Sequence, residues 1–170
     1  MKNILAIFLP IYLSISAFTQ PVVKGWVYQQ DSLSGTKSTA QNENGKVVKK
    51  DAGINYLIFI SHNKTSNVVP LEIYLKGTQY KVGMIQIKKT PVEIVNHNLP
   101  SNPVKTELVP LTSNKVLSLK RGPEISTNVS DAPLKKLIAS NDAVIAYLWK
   151  GKKYFVAVKE IIRLEPVMNE

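Results

Sequence analysis

The 170-residue chain contains no cysteine. That absence excludes a disulfide framework, thiolate–zinc sites and lipid attachment through an N-terminal cysteine, so stability has to come from packing alone. Histidine is nearly absent too, with only His62 and His97. No His-x-x-x-His or His-Glu spacing exists, and both histidines sit in polar Asn-flanked segments that read as strand-end turns. Among the 22 basic residues only Arg121 and Arg163 are arginine, the side chain best suited to planar recognition of phosphate; the others are lysine. No glycine-rich phosphate loop occurs. Two segments fit Ser-x-x-Lys, Ser34-Gly35-Thr36-Lys37 and Ser61-His62-Asn63-Lys64, but neither opens a helix, and the Ser-Asp-Asn and Lys-Thr-Gly companions of the penicillin-binding enzymes are missing. Glu72, Glu93, Glu107, Glu124, Glu160 and Glu165 stand isolated, so a glycosidase-type carboxylate pair would have to be assembled by folding. The expected catalytic, cofactor-binding and metal residues are therefore none.

Long apolar runs are also lacking, apart from residues 4–18. That run is about 15 residues long, short of the roughly 20 a spanning helix needs. It is interrupted by Pro10 and dotted with Ser14 and Ser16. Lys2 precedes it, and Ala17-Phe18-Thr19 places small residues at the minus-three and minus-one positions of a signal peptidase site. Residues 1–19 are expected to be a signal peptide and 20–170 a single domain, which would operate in the periplasm, at the cell surface or outside the cell. A retained membrane anchor is the rival reading. The formal charge of +10 favours anionic surfaces, with salt-dependent binding, unless scattered lysines act only to keep the protein soluble. Nucleic acid is not an expected partner of an exported chain without a recognition motif.

The remaining pattern has the short period of strands. Residues 22–28 form a first strand. The polar stretch 29–44 is expected to be a mobile loop, in which Asn44-Gly45 could close a small hairpin onto 46–50. Residues 54–61 carry a continuous apolar middle and are expected to be buried on both faces at the centre of a sheet. Residues 71–88 and 144–158 each read as a hairpin. In both, Gly77 or Gly151 followed by a polar residue fits the first two central positions of a type II′ turn, a register that pairs Leu75 with Tyr80 and Trp149 with Tyr154. The shared Lys-Gly turn would fit either an internal duplication or two independent hairpins. Prolines 91, 100, 103, 110, 123 and 133 confine the intervening strands to short pieces at 91–96, 105–110 and 115–120. A short helix is expected at 131–139, with Asp131 capping, Pro133 in the first turn, and Leu134, Leu137 and Ile138 on one face. The last strand is expected to run on past Val158 to Pro166. The fold class is all-β: a single antiparallel β-sandwich or barrel-like domain of about eight short strands with one short helix.

The segment Val23-Lys24-Gly25-Trp26-Val27-Tyr28 resembles the opening strand of carboxypeptidase-regulatory-like β-sandwich domains. Those continue with Gly-x-Pro-hydrophobic-x-Gly-Ala, where this chain has Asp31-Ser32-Leu33-Ser34-Gly35. The leader ending Ala-Phe-Thr-Gln and the Lys-Gly hairpins resemble the small exported β-rich proteins of unknown function of Bacteroidota-type bacteria, a likeness that implies no activity. The functional expectation is a non-catalytic binding or structural component of the cell envelope, partnered by an anionic envelope polymer or another envelope protein. One alternative is a small envelope hydrolase joining a carboxylate pair, or a serine with His62 or His97. Another is a carrier of an apolar ligand, lined by Trp26, Tyr56, Phe59, Trp149 and Phe155. Cleavage is expected after Thr19. The intact mass of the exported protein should show Gln20 as the new N-terminus, and a mass retaining residues 1–19 would remove the localisation argument.

Overall fold

The computed structural model describes residues 21, 23–34, 39–41, 47–49, 53–96, 104–125 and 129–169. In chain order the elements are β1 (Val23–Ser34), β2 (Thr39–Gln41), β3 (Val47–Lys49), β4 (Ile54–His62), β5 (Val69–Leu75), β6 (Thr78–Ile87), β7 (Val92–Asn96), β8 (Val104–Val109), β9 (Lys115–Glu124), α1 (Ala132–Ala139), β10 (Ala143–Trp149), β11 (Lys152–Val158) and β12 (Ile162–Asn169). Eight strands form one sheet in the order β11-β10-β5-β6-β9-β4-β1-β12, with β2–β3 and β7–β8 as separate two-stranded sheets. The all-β fold with one short helix is as the pattern indicates. The sheet is mixed, however, because β1 and β12 run parallel while the other pairs in the large sheet are antiparallel.

The sheet curls on itself. A Cβ placed on Gly25 of β1 would lie 3.1 Å from Val158 Cγ2 and 3.4 Å from Ile145 Cδ1, atoms of β11 and β10 at the far end of the strand order. Only a residue without a side chain lets the two ends of the sheet approach so closely. Curling turns one face of every strand inward. Val27, Ile58, Ile60, Ile73, Leu75, Leu117, Leu119, Ile145 and Trp149 meet there in the main core, and a fully buried aliphatic side chain of this kind is worth roughly 1.5–3 kcal/mol.

The outer face is covered in two places. The β7–β8 hairpin lays Val92, Ile94, Leu108 and Val109 over Trp26, Tyr28, Leu57, Phe59 and Val116, and the Tyr28 hydroxyl donates to the Leu108 carbonyl at 2.6 Å. This second core explains why β4 is apolar on both faces and sits between β9 and β1, as its sequence predicts. The helix α1 covers Tyr74, Val144 and Phe155 with Leu134, Leu137 and Ile138. Asp131 stands at its N-cap in extended conformation but makes no side-chain capping hydrogen bond, contrary to expectation; Pro133 is in the first turn. At the other end the Ser140 hydroxyl donates to Lys136 O at 2.7 Å, and Asn141 Nδ2 to Leu137 O at 2.7 Å.

Four sequence expectations are corrected. The loop at 29–44 does not begin at 29, because β1 continues to Ser34 between β4 and β12. Its polar side chains are no obstacle: Gln29 and Gln30 are buried, and Gln30 Nε2 donates to the Glu165 carbonyl at 3.1 Å. Within the remainder of that stretch β2 and β3 pair from Thr39↔Lys49 to Gln41↔Val47, while Asn44-Gly45 lies outside the described residues. The strand placed at 115–120 extends to Glu124, absorbing Pro123 where the register with β6 shifts. The last strand is not continuous with β11. Ile161 enters the core, its amide donating to Asp142 Oδ2 at 3.1 Å, and the chain then pairs in parallel with β1.

The fourth correction concerns the turns. Lys76 and Lys150 both have φ 49°, Gly77 has φ 87° and Gly151 φ 74°. Two successive positive φ values make both turns type I′, with lysine first and glycine second, rather than type II′. The closing pairs are Leu75↔Thr78 and Trp149↔Lys152. Tyr80 therefore faces Ile73, and Tyr154 faces Tyr147 rather than Trp149. Tyr154 still touches Trp149 edge-on at 5.8 Å while stacking on Tyr147 at 5.8 Å. The expected outcome for Gly151→Val is a loss of about 1–3 kcal/mol. Lys150→Val should also be costly, whereas Lys152→Ala should fall within about 0.5 kcal/mol of wild type. Urea unfolding of the three variants checks this; a harmless Lys150→Val would return the assignment to type II′.

Candidate functional site

Strand register gathers polar groups at one end of the rolled sheet. Along β1 the inward side that carries Val27 continues to Gln29 and Asp31, and Gln29 pairs with Tyr56 on β4. On β9 the inward side that carries Leu117 and Leu119 continues to Arg121, opposite Val82 on β6. The Arg121 guanidinium lies 5.4 Å from the centre of the Tyr56 ring and 5.2 Å from that of Tyr80, held by two aromatic faces. Arg163 stands opposite Gln29 on β12. From the β5–β6 turn, Lys76 Nζ donates to Gln29 Oε1 at 3.2 Å, and Gln29 Nε2 donates to Asp31 Oδ1 at 3.2 Å.

The chain's two arginines thus stand at one end of the fold, Arg121 over the Tyr56 ring and Arg163 one strand away across Gln29. Burial raises the Tyr56 pKa, with Tyr80 and Asp31 adding to the rise while Arg121 and Arg163 act against it. The phenol stays protonated at neutral pH and remains a hydrogen-bond donor. Among the described residues the salt bridges are Lys105–Glu93 and Lys153–Glu72, and neither arginine is paired with a described carboxylate. Two guanidinium groups, a phenol and a lysine, offset by Asp31, form a mouth that can accept the oxygens of a phosphate or carboxylate.

Of the residues that sequence reasoning weighed for catalysis, Glu124 stands opposite Tyr80 at this end of the sheet, and the histidines lie elsewhere or outside the described residues. His62 is buried at the end of β4, on the inward side, and its Nδ1 donates to the Asn63 carbonyl at 2.9 Å. Ser61 is its neighbour on the strand and points to the other face. His97 and Lys37 lie outside the described residues. Glu93 and Glu107 are opposite each other on β7 and β8, the one carboxylate pair that the ladder brings together, but both are exposed and Lys105 sits 3.6 Å from Glu93. Among the described residues no group of three or more His, Asp and Glu could hold a metal ion. The five aromatics weighed as a ligand lining are divided among all three cores: Tyr56 and Trp149 inside the curl, Trp26 and Phe59 under the β7–β8 hairpin, Phe155 under α1. They line no common cavity. A groove of about 510 Å³ lies between α1 and the β5–β6 turn, bordered by Lys76, Lys135, Ile138 and Asp142. It is open to solvent, and Asp142 there is engaged with the Ile161 amide.

Glu72 on β5 is a half-buried carboxylate with several partners. It accepts from Gln79 Nε2 at 2.8 Å and from the Tyr74 hydroxyl at 3.2 Å, and it pairs with Lys153. Burial by itself would raise its pKa, but Lys153, Gln79 and Tyr74 together lower it below the ordinary value, while the Tyr74 pKa is pushed up to about 12 by burial and by Glu72. A carboxyl held ionised in this way is a structural acceptor and no general acid. No helix among the described residues is long and apolar enough to cross a membrane.

Glu72→Gln should therefore cost about 1–2 kcal/mol at neutral pH. Because the folded-state pKa is depressed, the wild-type advantage is full above the ordinary carboxylate pKa and disappears as pH falls through the folded value. Urea midpoints of both proteins across the acid range check it, and a difference independent of pH would remove the charge argument. No protein-family model, no curated protein and no solved structure matches the chain.

Proposed function

We propose that the chain is a non-catalytic binding component of the cell envelope, exported by its N-terminal leader, that holds an anionic polymer at the arginine-lined mouth of its curled sheet. One observation carries this reading: the only two arginines, far apart in sequence, come to one end of the fold, Arg121 over the rings of Tyr56 and Tyr80 and Arg163 opposite Gln29, the residue that Tyr56 pairs from the other side. Lysines spread over the surface would attract anions without direction, whereas guanidinium groups placed beside aromatic donors give orientation as well as charge. The excess of basic residues over the whole chain adds long-range attraction that salt screens. The packed interior supports binding at the rim over carriage of an apolar ligand inside, and the scattered carboxylates support binding over hydrolysis.

Calorimetric titration with inorganic polyphosphate, and separately with polygalacturonate, tests the reading and separates phosphate from carboxylate ligands. At least one polymer should bind saturably and weaken with added salt. Arg121→Gln combined with Arg163→Gln should lower the affinity by about tenfold or more, with the melting temperature little changed. Lys136→Gln combined with Lys159→Gln removes the same charge elsewhere and should have a far smaller effect. Equal losses in the two double variants would mean that scattered charge, not the mouth, does the binding. Shortening of either polymer during incubation would favour the hydrolase.

A further inference from the structure

We infer that the second half of β6 is an open strand edge that takes an extended, acidic segment of another protein by strand addition. On one side β6 is paired with β9 along its length, from Tyr80↔Glu124 to Ile87↔Val116. On the other side its ladder with β5 stops at Glu72↔Lys81. The sequence of β5 explains the stop. Pro70 has no amide hydrogen to donate, and the register between β5 and β10 slips between Ala146 and Tyr147, opposite Glu72 and Pro70, so β5 veers from β6 there. Residues 82–87, Val-Gly-Met-Ile-Gln-Ile, have no strand on that side among the described residues.

Edges of this kind are normally blunted by a charge, a proline or a bulge. Residues 82–87 contain no charge and no proline. Met84 and Ile85, which point to opposite faces, are 53% and 50% exposed. A strand side without a described ladder partner, with apolar side chains on both faces, matches what an added strand uses: main-chain hydrogen bonds for affinity and alternate side chains for specificity.

Charge decides the occupant. The uncharged stretch is bounded by exposed Lys81 at one end and exposed Lys88 and Lys89 at the other, and exposed Lys120 stands opposite Gly83 on β9. A second copy of this chain, paired antiparallel about Met84 and Ile85, would set Lys81 against Lys88, a like-charge contact repeated by symmetry. A partner strand with apolar residues in its middle and Asp or Glu at its ends meets the same edge with opposite charge throughout.

The test is fluorescence anisotropy with a fluorescein-labelled peptide, Glu-Glu-Val-Thr-Ile-Thr-Val-Glu-Glu, titrated with the full chain. Saturable binding that weakens with salt is expected. Replacing the peptide's glutamates by lysine, or N-methylating its central amides, should abolish binding. Met84→Lys combined with Ile85→Lys should weaken it by about tenfold or more; if that variant does not fold, the N-methylated peptide on the wild-type chain still decides. No binding, equal binding of the lysine peptide, or binding that survives N-methylation, as attraction to the mouth arginines would, overturns the inference. So does sedimentation of the wild type as a dimer that the double variant dissolves, which would make the occupant a second copy.

Discussion

The close approach of β1 to β10 and β11 at Gly25 is the contact on which the rest of the structure depends. Without a Cβ at this position, Val158 and Ile145 rest against the β1 backbone, and the two ends of an eight-stranded sheet are drawn toward each other. Once the sheet is curled, one side of each strand faces a common interior and the main core follows. The parallel pairing of β12 with β1 follows as well. Residues 159–161 are enough to carry the chain from β11 to β1, because the curl has already brought those strands together. A flat sheet of the same order would need a long crossover for a parallel pair.

The same curl decides where chemistry can sit. An eight-stranded barrel is about wide enough for its own side chains to fill, and here Ile58, Ile60, Ile73 and Ile145 are fully buried within it. A ligand is left the rim, the outer faces and the edges. Two of the outer faces are occupied by the β7–β8 hairpin and by α1. What remains is the mouth, where inward-facing positions on β1, β4, β6 and β9 change from aliphatic to Gln29, Asp31, Tyr56, Tyr80 and Arg121, and the unpaired half of β6.

Much of this was legible in the sequence, and the failures have physical causes. The period-two pattern reports which face of a strand a residue occupies, so the strand character and the doubly buried β4 could be read, and the three-and-four spacing of Leu134, Leu137 and Ile138 likewise gave the apolar side of α1. It does not report register in steps of two. The type I′ and type II′ readings of the Lys-Gly turns differ by two residues and leave Tyr80 and Tyr154 on the same face, so only backbone conformation at Lys76 and Lys150 separates them. Polar β1 beyond Tyr28 was misread because composition reports burial, whereas strand continuation there rests on ladders to both β4 and β12 and on glutamines satisfied by Asp31, Lys76 and Glu165. The mouth was invisible for a related reason. Arg121 and Arg163 are 42 positions apart, and Tyr56 lies far from both. The sole available signal was parity: Arg121 lies on the same side of its strand as Leu117 and Leu119, and Tyr56 on the same side as Ile58 and Ile60.

The inward arginine also shows how position changes the meaning of charge. Lysines on the outer surface keep their hydration and act at a distance, and most surface charges of this kind contribute little to a specific contact. Arg121 continues a row of core residues, so its guanidinium emerges over the rings of Tyr56 and Tyr80 while remaining exposed to solvent. The bulge that lets β9 pass Pro123 preserves this placement, because the register slips only beyond Arg121, between the Val82↔Arg121 and Tyr80↔Glu124 pairs. The mouth is therefore an extension of the core pattern by two positions, with polar groups where the strand leaves the apolar interior.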